Sequence, residues 1–235
     1  MSKLIAFLNL IRFFNPIGFW LLLWPGLWGL FLSGNMDISY FTIVVLGSFL
    51  TRSVGCAIND MIDIQYDKKV DRTKNRPLAN GELTFKEALI FTIILAAACL
   101  YLLLLTNIQT ICFVLFVAVP MIVIYPLMKR FIAVPQLFLG ATFGLSLPIS
   151  YSMAEGYVSL EIIFLYLGCI FWILAYDSYY ALCDIEDDKK ININSSPIFF
   201  GTDIQKAIML FYSLFVLIVM LLAIQNNFKL MFIGV

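Results

Sequence analysis

Two acidic segments, each followed by basic residues, contain the side chains best suited to chemistry. The first, NDMIDIQYDKKVDRTKNRP, covers residues 59–77 and contains four aspartates and five lysines or arginines. The second, YDSYYALCDIEDDKK, covers residues 176–190 and places three aspartates just before two lysines. Carboxylates this close together repel one another, so each cluster favours a bound cation. Hard oxygen ligands suit Mg²⁺ better than softer metals, and the basic residues that follow can hold a phosphate group.

The spacing within the first segment would bring its oxygen ligands together. Asn59, Asp63 and Asp67 follow one another at intervals of four residues. If the preceding helix continues, each interval turns the side chain by only about 40° around the axis, so all three face one point. The spacing therefore predicts a cation site. The alternative is a solvated loop whose acids and bases merely neutralise each other, and the second acidic segment favours the cation site over that alternative.

The elements that must position these segments are apolar helices. Of the 235 residues, 62% are hydrophobic and 13% are charged, and the mean hydropathy is +0.96. One soluble core of this length cannot bury so much apolar surface, so the chain is predicted to be an all-α membrane protein. Segments long enough to cross about 30 Å of hydrocarbon are predicted at 16–33, 40–58, 87–106, 110–126, 134–154, 160–181 and 207–225.

The basic residues predict the orientation of this bundle, because lysine and arginine in short loops remain cytoplasmic. Along an alternating path of seven helices they fall on one side, apart from Lys229 on the other side and Arg52 within a span. The N-terminus is therefore predicted to be cytoplasmic, with both acidic segments at that surface. The chain has no histidine and no CxxC pair among its five cysteines, which argues against zinc, and its zero net charge does not indicate a nucleic-acid partner.

Both acidic segments resemble motifs of a known family, the UbiA-type intramembrane aromatic prenyltransferases. The first resembles the family sequence NDxxDxxxD, and DRTKNRPLANG at 71–81 resembles the RxxxRPLxxG stretch of its 4-hydroxybenzoate polyprenyltransferases. The second resembles YDTxYAxxDxxDD of the same subgroup, and NPIGFWLLLWP at 15–25 and YPLMKR at 125–130 are further matches. The resemblance covers nearly the whole chain, and the joint occurrence of both aspartate motifs makes it specific.

This resemblance implies a helix bundle around a central cavity and a Mg²⁺-dependent transfer of a polyprenyl group from polyprenyl diphosphate to the ring of 4-hydroxybenzoate. It also implies a step of ubiquinone biosynthesis in the lipid bilayer of the bacterial inner membrane. The implied metal ligands are Asn59, Asp63, Asp67, Asp184 and Asp188, and the implied basic residues around the diphosphate are Arg72, Arg76, Lys129 and Arg130. The candidate catalytic residues are Asp63, Asp67, Asp177, Asp184 and Asp188.

Two charged residues lie deeper in the predicted spans. Arg52 precedes Asn59 by seven residues. Asp177 likewise precedes Asp184 by seven, so each lies about 10 Å further into the membrane on nearly the same helical face as its motif. Charged residues inside a span are costly and are therefore functional candidates. With the resemblance, Arg52 is predicted to bind the carboxylate of 4-hydroxybenzoate, and Asp177 to act on its phenol hydroxyl or ring proton. The alternative is that Arg52 pairs with Asp177 or Asn59 and only neutralises itself.

Three alternatives compete with this interpretation. An ion-coupled carrier also places acids within a bundle, but it rarely combines paired aspartate motifs with a phosphate-binding RxxxRP sequence. A CDP-alcohol phosphotransferase uses aspartate-rich Mg²⁺ sites, but its DGxxAR start is absent from this sequence. Within the family, a naphthoate, homogentisate or haem acceptor stays open, and only the finer matches in the second segment favour 4-hydroxybenzoate.

The expected domain organisation is a single prenyltransferase domain over residues 1–235. Members of the family usually have nine membrane helices, whereas the seventh predicted span ends at residue 225 and LMFIGV begins an eighth. The last two family helices are thus expected to be absent. Lipid or water would then reach the carbocation before the aromatic ring does, so the chain alone is expected to be weak or inactive.

Overall fold

The computed structural model describes residues 2–190 and 193–226, and every regular element in those ranges is helical. In chain order the helices are α1 Lys3–Leu10, α2 Ile17–Ser33, α3 Ile38–Asp67, α4 Phe85–Leu104, α5 Ile108–Phe113, α6 Val119–Met128, α7 Pro135–Gly144, α8 Ser146–Glu155, α9 Leu160–Ala181, α10 Ile185–Lys190, α11 Ser196–Phe200 and α12 Ile204–Gln225. A π-helical turn, Val114–Ala118, joins α5 to α6, and 3₁₀ turns precede α10 and α12 at Leu182–Asp184 and Gly201–Asp203.

The predicted membrane bundle is confirmed by the lengths of these helices. Within the described residues, six stretches are long and apolar enough to cross a membrane: Ile38–Asp67, Phe85–Leu104, Ile108–Met128, Pro135–Glu155, Leu160–Asp184 and Ser196–Gln225. Helix α2 is a shorter apolar helix of 17 residues. These seven stretches coincide with the seven predicted spans. The apolar tail LMFIGV lies outside the described residues.

Helix α3 extends well beyond the apolar span that the sequence predicts. It has 30 residues, which corresponds to about 45 Å at 1.5 Å per residue and exceeds the thickness of the hydrocarbon core. Asp37 caps its first turn by accepting a hydrogen bond from the Ser39 amide at 2.7 Å. The last turns therefore carry the acidic motif beyond the apolar stretch on a continuous helix, which is the condition under which Asn59, Asp63 and Asp67 share one face.

The fourth span departs from a regular α-helix where its sequence prevents one. Pro120 has no amide hydrogen and cannot donate to a residue four positions earlier. The chain accommodates this with the π-helical turn that ends at Ala118, two residues before Pro120 in the first turn of α6. Pro126 follows within α6 and lies against the central cavity. The irregular part of the span thus lines the cavity, where non-α-helical backbone is tolerated.

Small residues allow the helices of the bundle to approach closely. Helix α9 packs against α7 and α12, and α2 packs against α8. A Cβ atom at Gly29 would lie 2.2 Å from the Ser150 hydroxyl and 2.3 Å from the Leu147 carbonyl oxygen. At Gly140 it would lie 2.8 Å from the carbonyl oxygen of Ile170. Close contact of backbones is a common source of packing energy between membrane helices.

One end of the bundle, here called the loop end, contains the start of α1, the end of α3 with the loop at 68–84, the start of α4, the residues just after α6 and the segment 182–190. Lys3 of α1 pairs with Glu87 at 2.6 Å, and Glu87 forms a capping box with Thr84 at the start of α4. The Asn194 amide donates to the Lys129 carbonyl oxygen at 3.0 Å. In a second set of contacts the Ser196 amide donates to Gln136, and its hydroxyl to Ser178, at 2.9 and 2.8 Å. The salt bridge between Arg72 and Asp184 joins the two acidic segments at this same end.

The close contact between α2 and α8 makes a prediction about stability. We expect Gly29→Ala to lower the thermal unfolding midpoint, because the new methyl group meets backbone that cannot move aside, at a cost of about 1–3 kcal/mol. Gly47→Ala is the matched control, since a Cβ atom there meets nothing within 4 Å. Unfolding of the purified variants in one detergent provides the comparison. Equal midpoints for the two variants would contradict the contact.

Candidate active site

A single large cavity reaches from the loop end into the membrane-spanning part of the bundle. Its volume is about 1100 Å³, and along α3 its lining extends from Ile43 to Asp67, which is about 36 Å of helix. The polar and charged side chains that line it include Arg12, Arg52, Asn59, Asp67, Arg72, Arg76, Tyr125, Lys129, Asp177, Tyr180, Asp184 and Asp188. Most of the predicted site residues from both acidic segments therefore share one cavity.

The three predicted ligands on α3 have different surroundings. Asn59 and Asp67 line the cavity. Asp63 is fully buried, and its two carboxylate oxygens contact Lys129 and Arg130, with 3.0 Å to Arg130 Nη2. In this structure Asp63 therefore holds two of the basic residues that were predicted to bind diphosphate.

Asp60, which does not belong to the four-residue spacing of Asn59, Asp63 and Asp67, is a fully buried partner of two arginines. Its Oδ1 lies 2.6 Å from Arg12 Nη2 and 3.0 Å from Arg76 Nη1. The same Arg76 Nη1 contacts both oxygens of Asp67, at 3.0 and 2.9 Å, so that Arg76 bridges the two aspartates. Burial by itself would lower the pKa of Arg76, but the charges of Asp60 and Asp67 outweigh it and raise that pKa above its usual value. The interval of seven residues between the aspartates, two helical turns, was the signal for a shared face.

Arg12 is a second residue of the site that the sequence did not indicate. Its backbone has φ 59°, a left-handed conformation that is uncommon for residues other than glycine. The guanidinium donates to the carbonyl oxygens of Asn9 and Leu10, at 3.0 and 3.3 Å, in addition to Asp60. The turn between α1 and α2 is thus held against α3 by one arginine that also lines the cavity.

The second acidic segment is connected to the first through Arg72. Arg72 Nε and Nη2 donate to the two oxygens of Asp184, at 2.7 and 2.8 Å, in a bidentate arrangement that is among the stronger ion pairs. The Arg72 guanidinium also lies 5.8 Å from the centre of the Tyr180 ring. Asp188 lines the same part of the cavity, where burial raises the pKa of its carboxyl group and the charge of Asp184 adds to that shift.

Arg52 and Asp177 lie deeper in the same cavity. The Arg52 guanidinium is 5.5 Å from the centre of the Phe143 ring, and Tyr125 also lines this region. In the described part of the chain, neither Arg52 nor Asp177 forms a hydrogen bond or a salt bridge. A direct salt bridge between them, one of the alternatives above, is therefore not among the described contacts. The cavity thus contains a deep cation and a deep acid that are available to a ligand.

The oxygen ligands around the cavity fit Mg²⁺ by chemical type, although they are dispersed. Among the described residues, no three acidic or cysteine side chains lie close enough together to surround one ion. Asp67 and Asp184 instead face the guanidinium groups of Arg76 and Arg72. Carboxylate and amide oxygens that line one cavity are a suitable donor set for Mg²⁺, and a cation bound to them would compete with these two arginines.

Comparison with known proteins identifies the family. A model of the UbiA prenyltransferase family matches residues 22–235. The chain belongs to the UbiA prenyltransferase family. A 4-hydroxybenzoate octaprenyltransferase of Francisella tularensis subsp. novicida (strain U112) is 39% identical over 230 residues, covering 97% of this chain and 81% of that relative. A protein of the same name from Marinomonas sp. (strain MWYL1) is 41% identical over 221 residues, covering 93% and 74%.

Solved structures of UbiA homologs have the same fold. The apo structure of the Aeropyrum pernix K1 homolog has a TM-score of 0.77 at 22% identity, covering 88% of this chain and 79% of that one. The Archaeoglobus fulgidus homolog bound to GPP and Mg²⁺ has a TM-score of 0.75 at 23% identity, covering 94% and 78%. The predicted family and the all-α membrane fold are both confirmed, while the roles of individual site residues stay predictions.

The buried pairing of Asp60 makes a prediction about folding. We expect Asp60→Asn to lower the stability by about 3 kcal/mol, because it leaves Arg12 and Arg76 without their shared anion in a buried position. Asp71→Asn is the matched control, since Asp71 is exposed and its pair with Lys74 is exposed as well. Denaturant unfolding of both purified variants provides the measurement. Similar losses in the two would show that the buried network is not a major contribution.

Proposed function

We propose that this chain transfers a polyprenyl group from polyprenyl diphosphate to the ring of 4-hydroxybenzoate, giving 3-polyprenyl-4-hydroxybenzoate for ubiquinone biosynthesis. The observation that carries the proposal is the arrangement of one cavity, with carboxylates and basic residues at the loop end and Arg52 with Asp177 at depth. Relatives named for this activity at 39% and 41% identity over nearly the whole chain support it.

The loop end of the cavity suits the diphosphate of the donor. Asn59, Asp67, Asp184 and Asp188 line it and are the proposed Mg²⁺ ligands, with Asp63 behind them. The chemistry that Mg²⁺ supplies when bound is neutralisation of the charge on the diphosphate leaving group. The homolog solved with GPP and Mg²⁺ has the same fold as this chain.

The basic residues at the loop end are proposed to bind the oxygens of the diphosphate. In this structure each of them pairs with an aspartate: Arg72 with Asp184, Arg76 with Asp60 and Asp67, and Lys129 and Arg130 with Asp63. These pairs keep the charges compensated in a poorly solvated region until substrate arrives. Arginine is well suited to such an exchange, because its planar fork binds carboxylate and phosphate with similar geometry.

The deeper part of the cavity suits the aromatic acceptor. Arg52 is proposed to bind the carboxylate of 4-hydroxybenzoate, and Asp177, which lines the same cavity, is proposed to lie at the hydroxyl end of the ring. The allylic C–O bond breaks with its electron pair going to the diphosphate, and the allylic carbon then bonds to the ring carbon beside the hydroxyl. Asp177 is proposed to orient the hydroxyl or to accept the proton that this ring carbon loses. Aromatic side chains such as Phe143 and Tyr125 tolerate the intermediate carbocation and help to exclude water.

The proposed setting is the inner membrane of a bacterium, with the N-terminus and the loop end cytoplasmic. The basic residues carry this orientation, since Lys68, Lys69, Lys74 and Lys86 all belong to the loop end or to the first turn of α4. Both the ionic donor headgroup and the aromatic acid would then enter from the cytoplasm, while the polyprenyl tail lies among the apolar helices.

Product formation from defined substrates tests the proposed function. Membranes that contain this chain are expected to convert labelled 4-hydroxybenzoate and a polyprenyl diphosphate into prenylated product when Mg²⁺ is present, and the rate also tests the weak activity expected from the sequence. Chelation of the metal should abolish product, and added Mg²⁺ should restore it. Product with a naphthoate or homogentisate, but none with 4-hydroxybenzoate, would assign a different acceptor within the family. Metal-independent uptake of either substrate without product would instead indicate a carrier.

The acidic residues of the second segment provide a sharper prediction. We expect Asp184→Asn to lower kcat by about 100-fold or more, because a lost ligand removes stabilisation of the leaving group in the transition state. Asp203→Asn is the matched control, since Asp203 is exposed and forms an exposed pair with Lys206. Turnover per folded molecule at saturating Mg²⁺ is the measurement, with the thermal midpoint recorded in parallel. Wild-type turnover in Asp184→Asn would show that this residue is only a surface charge.

A further inference from the structure

The guanidinium of Arg52 lies directly on the backbone of Gly18, in the first turn of α2. A Cβ atom built at Gly18 would be 2.2 Å from Arg52 Nε, 2.5 Å from Cζ and 2.6 Å from Nη2. Observed Cβ contacts are essentially never shorter than 3.0 Å. Any side chain at position 18 must therefore displace the guanidinium.

Packing, and not an ion pair, orients this guanidinium. The ring of Phe143 lies on it at 5.5 Å from centroid to Cζ, and the backbone of Gly18 forms a second contact surface. Among the described residues no carboxylate forms a salt bridge with Arg52. A long, flexible side chain without a bonded partner loses its defined position once its packing surface changes.

The local backbone does not by itself require glycine at position 18. Gly18 lies in a right-handed helix, and its φ is outside the left-handed range in which glycine is favoured. Glycine within a helix is in fact unfavourable relative to alanine. The feature that glycine provides at position 18 is therefore the space that the Arg52 guanidinium occupies. Gly47 shows the contrast, because a Cβ atom there, on the same helix as Arg52, would meet nothing within 4 Å.

We propose that Gly18 is a positioning residue for the aromatic acceptor, because it leaves the space in which the Arg52 guanidinium is held. This inference rests on the proposed role of Arg52 in binding the acceptor carboxylate. Restoring a normal contact of about 3.5 Å after adding a methyl group requires a shift of the guanidinium by about 1 Å. Displacements of that size in a binding site are large enough to weaken a charge-assisted hydrogen bond substantially.

Kinetic measurements on four variants test the proposal. Gly18→Ala is expected to raise KM for 4-hydroxybenzoate by about tenfold and to leave KM for polyprenyl diphosphate within about twofold. Ala97→Val is the control, because Ala97 is exposed and lies outside the cavity lining, and it should keep both values. In the Arg52→Ala background the clashing atoms are absent, so adding Gly18→Ala should change KM for the acceptor by less than about twofold. The thermal midpoint should be unchanged in Gly18→Ala, because the clash is with the end of a flexible side chain.

The outcomes separate this inference from the proposed function. An unchanged acceptor KM in Gly18→Ala, together with a raised one in Arg52→Ala, would overturn the role of Gly18 and leave the acceptor site intact. If Gly18→Ala raised the acceptor KM by the same factor in wild-type protein and in Arg52→Ala, the role of Gly18 would also be overturned. If wild-type protein makes no product from 4-hydroxybenzoate, the proposed function fails. In that case an experimental structure of Gly18→Ala tests the packing contact between Arg52 and Gly18. A displaced Arg52 guanidinium supports the contact, and an unmoved one refutes it.

Discussion

Burying aspartates near the end of a membrane helix requires cationic partners, and here those partners come from separate segments around the mouth of the cavity. Asp60 and Asp63 on α3 are both fully buried, and an isolated carboxylate in such a place would be very costly. Asp60 takes its partners from the turn before α2 and from the loop after α3, whereas Asp63 takes them from the end of α6. The salt bridges of Asp60 and Asp63 thus hold three other segments against α3: the turn before α2, the loop after α3 and the end of α6.

The same network provides the charged groups that the proposed reaction needs. Every basic residue assigned to the diphosphate is already paired with an aspartate at the loop end. A diphosphate with a divalent cation brings both kinds of charge, so it can replace the partners of both without leaving an uncompensated group in a region of low dielectric. In the proposed function, substrate binding is therefore an exchange of ionic partners and does not create new buried charge.

The deep part of the cavity is built differently. Arg52 and Asp177 are not joined to each other or to another described side chain by a salt bridge, although charges inside a membrane span are costly. The guanidinium is held by contact with Gly18 and the Phe143 ring. An ion pair there would have to be broken by an incoming carboxylate, whereas a guanidinium positioned by packing remains available to it. The two levels of the cavity thus combine a mouth whose charges are joined in salt bridges with an interior in which, among the described residues, Arg52 and Asp177 are not joined by one.

The sequence by itself determined the all-α membrane bundle and the seven apolar stretches, because these depend on apolar length along each helix, and its two aspartate motifs carried the resemblance to the family. Spacing also placed Asn59 and Asp67 at one cavity. Only the tertiary structure decided that Asp63 contacts Lys129 and Arg130. The same holds for the pair of Asp60 and Arg12 and for the packing of the Arg52 guanidinium on Gly18. Those contacts depend on how helices distant in sequence rotate and pack, as in the pair of Arg72 and Asp184, which are 112 residues apart. Local periodicity carries no information about that rotation, which the packing of all the helices sets together.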